Sequence, residues 1–273
     1  TIPDCPAPCL YVIEATGGTY IDEATGEPKS LDTPIRAMGK APEDGSAIVA
    51  YVTPITEAGA KVAEAAGGNL DADTLNQANA KIAKLLGING DAAEAAEDLL
   101  STPPLDASRP LGGQQDEVSS DRNIQERQRL YGVLLGAVSE LEKQLQSLTE
   151  AIESLAAAAD NDNTAAGNLQ QAAETFLNSD ANASGLGADA AALVGDAIDE
   201  ANGADPASTL LQGNDIISFY LPDTQSLNID FVNHQIQLGL PAGTGLISLN
   251  PQIVTSLRAA VSPTSGVTQG YLI

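Results

Sequence analysis

Nine apolar residues step by three and four without interruption: Tyr131, Leu134, Val138, Leu141, Leu145, Leu148, Ile152, Leu155 and Ala159. This spacing returns a side chain to one face about once every turn, so the segment is expected to lie as a helix with a buried edge. Ile124 extends the seam backwards and gives an expected long helix over about 117–159. Its 29-residue core would span roughly 42 Å at about 1.5 Å per residue. A two-stranded coiled coil would set opposite charges beside the seam. Here those places hold Leu135, Ala137, Glu142, Gln144, Ala151, Ala156 and Ala158. A stripe this wide predicts burial against several neighbours, as in a helical bundle.

The partner helices can be read on both sides. Residues 164–178 offer Leu169, Ala172, Ala173, Phe176 and Leu177, and residues 188–202 offer Ala191, Val194, Ile198 and Ala201. Before the seam, "VTPITE" is a compact helix start. Thr53 can cap, Pro54 fits the first helical position, and Glu57 faces the positive end of the helix dipole. Glu57 stands one place too late for a strict capping box. This helix ends at Gly67-Gly68. Asp71 or Asp73 opens a second helix that stops at Gly87, "DAAEAAEDLL" makes a third, and residues 101–116 read as a linker.

At both ends the period is that of strands. Residues 10–52 give about four short antiparallel strands: "LYVIEA", "TYID", "PIRAMGK" and "SAIVAYV". After residue 210, "SLNIDFV" and "QIQLGL" alternate apolar and polar residues around Asn233-His234, which reads as a hairpin turn. "DIISFYL" and "TGLISL" flank them as further strands. Asn250-Pro251 looks like another cap-then-proline start and predicts a short helix through Ile253 and Leu257. The expected fold is therefore α+β. N-terminal (1–53) and C-terminal (206–273) β segments form one β unit, and a helical bundle (54–205) is inserted between them.

Two stretches taken together, "YVIEATGGTYIDEATG" and "VTPITEAGAKVAEAAGGNLDADTLNQANAKIAKLLGI", resemble a module of uncharacterised secreted and surface proteins of proteobacteria. In that module a small β unit ends in a V-T-P-[IL]-T-E switch and feeds a helical pair. The second helix of the pair carries an A-N motif and ends in L-G. The resemblance covers residues 10–88. It implies export and a scaffold or adhesive role, and it supplies no catalytic residues.

Charge narrows the partners. Twelve basic residues against 37 acidic ones leave −25, the wrong sign for binding nucleic acid or anionic membrane. No stretch of the sequence is long and apolar enough to span a bilayer. Cys5 and Cys9, in "CPAPC", are the only cysteines. With the lone His234 they cannot complete a four-ligand zinc site, and their spacing is not that of a redox pair, so a local disulfide is expected. That points to an oxidising compartment. A start at Thr1 fits an extracellular or cell-surface protein whose signal peptide has been removed.

No catalytic signature stands out. Phosphate-binding glycine loops, H-E-x-x-H and G-x-S-x-G are absent, and a triad would have to use His234 in its turn. "DNDNT" at 160–164 looks like a calcium loop, but Ala165 takes the glycine place and Gln171 the final glutamate place. It reads as a helix–helix turn with Asp or Asn caps. The absence of Trp lowers a sugar-stacking reading. The expectation is a non-enzymatic extracellular structural protein without cofactor or metal. It would be a homopolymer, a fibre or surface-layer subunit joined by strand addition between copies. The alternative is a cell-surface adhesin or ligand-binding module, using the acidic bundle or calcium.

Overall fold

The computed structural model describes residues 9–42, 47–67, 70–88, 90–109, 114, 122–184, 194–195 and 197–199, together with the backbone of six C-terminal strands. The protein is α+β. Four strands come first, β1 (Leu10–Ala15), β2 (Thr19–Asp22), β3 (Glu27–Ser30) and β4 (Ile35–Lys40). Among the described residues the next elements are helices α1 (Pro54–Ala65), α2 (Ala72–Lys84), α3 (Ala92–Ser101), α4 (Arg122–Leu145), α5 (Leu148–Ala158) and α6 (Asn163–Leu177). The last six elements are β5 (Ile216–Tyr220), β6 (Ser226–Asp230), β7 (Gln235–Gly239), β8 (Ser248–Leu249), β9 (Gln252–Thr255) and β10 (Gln269–Gly270).

Among the described residues the strand pairs are antiparallel ribbons of two: β1–β4, β2–β3, β5–β9, β6–β7 and β8–β10. Among the described residues, no N-terminal strand pairs with a C-terminal one. In the β6–β7 hairpin the register sets Leu227 opposite Leu238 and Ile229 opposite Ile236, with Asn228 opposite Gln237 between them.

Three expectations are corrected. The "SAIVAYV" strand does not form: residues 47–52 are irregular, and Tyr51 N–H donates to the Leu100 carbonyl at the end of α3. The strand found in addition to the other three is β3 (Glu27–Ser30), paired with β2. After Asn250-Pro251 the chain is strand β9, not helix, and pairs with β5. Its Ile-Val-Thr run, β-branched throughout, prevails over the cap signal. The long helix is also broken. Gln146 takes a left-handed φ of 57°, and Ser147 caps a new helix by accepting from Glu150 N–H. Leu145, at the break, is 42% exposed and leaves the seam.

Other caps follow the sequence. Thr53 caps α1 and does close a box, with Thr56 as its partner. Thr56 N–H donates to Thr53 Oγ1 at 3.3 Å, and Thr53 N–H donates to Thr56 Oγ1 at 2.9 Å. Asp71 caps α2, Asp91 caps α3 and Asp162 caps α6. At the end of α2, Gly87 has φ +67° and the chain turns back through Ile88 N–H to the Ala83 carbonyl, a conformation that glycine adopts without a Cβ penalty.

One core runs through the helices. Ile55, Ile82, Leu99, Tyr131, Leu134, Ile152, Leu155, Leu169 and Phe176 are all fully buried, and Ile35 and Met38 bring β4 into the same cluster. The A-N motif has a structural job here: Asn79 Nδ2 donates to the Met38 carbonyl at 2.8 Å, tying α2 to β4. Arg36 on β4 ties the ribbon to α1. Its Nε and Nη2 grip the buried Glu57 carboxylate at 3.0 and 2.7 Å, and Nη1 reaches Glu64.

Candidate functional site: a cavity between the β2–β3 hairpin and helix α4

The β2–β3 hairpin lies over α4 through polar contacts. Lys29 Nζ, on β3, stands 2.8 Å from Glu142 Oε1 on α4 and 3.5 Å from Asp22 Oδ2 at the end of β2. Tyr20 OH donates to Glu142 Oε2 at 3.1 Å. Burial, then the Glu142 charge, push the Tyr20 hydroxyl well above its ordinary value. In the turn after β2, Glu23 accepts from Ser139 Oγ on α4 at 2.9 Å.

Beneath these contacts is a cavity of about 310 Å³. Tyr20, Ile21 and Glu23 form one side, the start of α1 and residues 104–106 another, and α4 the floor. Leu135 and Val138 are the apolar part of that floor, and Ser139 and Glu142 the polar part. Thr53, the α1 cap, also lines it and shares a 2.7 Å hydrogen bond with the buried Tyr131 hydroxyl of α4.

Glu23 is a carboxyl that the fold holds above its ordinary range. Burial raises its carboxyl from 4.5 to about 7, with Asp106 and Asp22 adding repulsion, while Ser139 and its own backbone partly offset the rise. A carboxyl raised by the fold favours folding when protonated. Its contribution is full below about pH 4.5 and is lost as pH rises through about 7. Glu23→Gln is therefore expected to be more stable than the wild type at pH 8. The gap should shrink as pH falls from about 7 towards 4.5, and paired urea melts across that range check it. A constant gap would place the Glu23 carboxyl near its ordinary value.

The sequence-derived candidates lie elsewhere. Cys5 and His234 are outside the described residues, and no cysteine among the described residues is a free thiol. Residues 160–162 lie in the α5–α6 turn, and 163–164 begin α6. Asp162 accepts from Thr164 and Ala165 N–H, Asp160 pairs with Lys81, and Asn161 has φ 68°. Among the described residues, no cluster of three His, Cys, Asp or Glu is placed to hold a metal ion, and no helix is long and apolar enough to cross a membrane. Sequence reasoning missed the grouping of Glu23 with Ser139 and Glu142, which lie more than a hundred residues further along the chain and share no motif with it.

Comparison with known proteins adds one match. A family model described as "SGBP, N-terminal" matches residues 216–271, about a fifth of the chain, and its bounds coincide with the first residue of β5 and the residue after β10. No curated protein and no solved structure matches.

Proposed function

We propose that this chain is an exported, surface-associated, non-catalytic binding protein whose ligands are glycans. The match of residues 216–271 to the SGBP, N-terminal family carries this reading, as that family points to surface glycan binding. The composition of the same stretch supports it. It holds two acids, Asp223 and Asp230, and one base, Arg258, in a chain of net charge −25. It also holds Phe219, Tyr220, Phe231 and Tyr271, four of the chain's nine Phe and Tyr residues. A nearly neutral strand region rich in amide, hydroxyl and aromatic groups suits a neutral polysaccharide, which offers hydroxyls to hydrogen-bond and C–H faces to stack. The acidic helical part, residues 54–205, would serve as a scaffold between the two β parts, in keeping with the export and scaffold or adhesive role that the likeness of residues 10–88 to proteobacterial surface modules implies.

The full chain is expected to be retarded in native gels containing at least one neutral polysaccharide and to run unchanged through an anionic one. Free migration through every neutral polysaccharide would end the proposal. Self-assembly by strand addition is the second reading, and one observation favours it. Among the described residues, β1 and β4 pair only with each other, and Val12 and Ile13 on β1 are exposed. Polymers seen by electron microscopy in native material would favour that reading over glycan capture.

A further inference from the structure

The cavity under the β2–β3 hairpin is a site in its own right, far in sequence from residues 216–271. Its volume, about 310 Å³, lies at the small end of the range for ligand pockets, roughly 300–1,000 Å³. Its walls are mainly aliphatic, with Leu105, Leu135, Val138 and Leu148 among them, and among the described residues no Lys, Arg or His lines it. Three carboxylates do: Glu23, Asp106 and Glu142.

These carboxylates are not equivalent. Glu142 is answered by Lys29 and by the Tyr20 hydroxyl. Asp106 accepts from the backbone and hydroxyl of Ser108. Glu23 has the Ser139 hydroxyl and its own backbone, and no ion pair among the described residues reaches it. A half-buried carboxylate without a counter-charge is costly to keep ionised, and a cation placed on it relieves that cost. The raised Glu23 carboxyl is consistent with that state.

We infer that this cavity binds a small organic cation, a primary ammonium on a compact apolar body, with the ammonium on Glu23 and the body against Leu135 and Val138. An anion of the same size meets three carboxylates and is rejected. A neutral molecule gains the apolar contacts and leaves Glu23 unanswered. A free amine and a lysyl side chain share the required chemistry.

The test uses three probes of one shape, cyclohexylammonium, cyclohexanol and cyclohexanecarboxylate, titrated into the full chain at pH 8 and low salt by calorimetry. The ammonium is expected to bind at least tenfold more tightly than the alcohol, and the carboxylate not at all. Glu23→Gln should bring the ammonium down to the level of the alcohol and leave the alcohol unchanged. Val138→Phe, which fills the space, should weaken both. Equal affinity for ammonium and alcohol, an ammonium affinity indifferent to Glu23→Gln, or no binding of any probe would each overturn the inference. A further titration with Nα-acetyl-lysine amide separates the sources. Binding as tight as that of cyclohexylammonium assigns the site to lysyl side chains, and weaker binding assigns it to free amines.

Discussion

Gly136→Ala should destabilise the protein by about 2 kcal/mol, while Gly167→Ala, two helices away, should stabilise it by up to about 1 kcal/mol. Both glycines are helical, Gly136 in α4 and Gly167 in α6, so intrinsic propensity gives the two changes the same sign. Their surroundings differ. A Cβ at Gly136 would lie 2.4 Å from Phe176 Cδ1 and 2.6 Å from its Cε1, whereas a Cβ at Gly167 meets nothing within 4 Å. Phe176 is fully buried, so its ring cannot swing aside without opening a void or displacing α6 from α4. Overpacking of this kind typically costs about 1–3 kcal/mol, more than the gain from replacing a helical glycine.

The explanation is tested by removing the ring. Phe176→Ala alone should cost about 4 kcal/mol, because a fully buried aromatic leaves a cavity that its neighbours fill only partly. In that background Gly136→Ala should turn neutral or favourable, since the added methyl enters the vacated space. The double-mutant cycle should show a coupling of about 2–3 kcal/mol, measured as differences in urea midpoint at constant m. Additive effects would mean that Gly136 is required for some reason other than the Phe176 ring.

Features set by neighbours within a few residues could be read from the sequence. Thr53-Pro54 and the aspartate caps fall where the pattern puts them, because a cap needs only a side-chain oxygen and the next turn's N–H groups. The break at Gln146 was missed because both helices keep the same stripe across it, and no Gly or Pro marks the left-handed residue. The available signal was Ser147-Leu148-Thr149-Glu150, an S-x-x-E start inside an apparently continuous seam. "SAIVAYV" misled in the other direction: its apolar residues fit a strand, but the backbone partner that Tyr51 finds is α3, not another strand. The cavity was beyond reach for a different reason. Glu23 is one of 37 acids, and what separates it from the rest is the hydroxyl of Ser139, 116 residues away.

Arg36→Ala is expected to cost about 3 kcal/mol, because it strips a buried carboxylate of its partner. The same guanidinium binds two carboxylates, and these supply an internal control. The Glu57 side chain is 4% exposed and the Glu64 side chain 41%. Glu64→Ala, at the surface, should therefore cost less than about 1 kcal/mol, and 0.5 M salt, chosen as roughly three times physiological, should erase most of that. Glu57 has the α1 N-terminus in its favour, worth about 0.3–1 kcal/mol, which is too little to compensate a charge that Arg36 holds with two hydrogen bonds. Converting both members, Arg36→Met with Glu57→Gln, should recover much of the loss, since what destabilises the single variant is the orphaned charge rather than the missing pair. If Arg36→Ala and Glu64→Ala proved equally mild in thermal melts, water would have to reach Glu57, and the β4 ribbon would not be clamped on α1 as the hydrogen bonds of Arg36 place it.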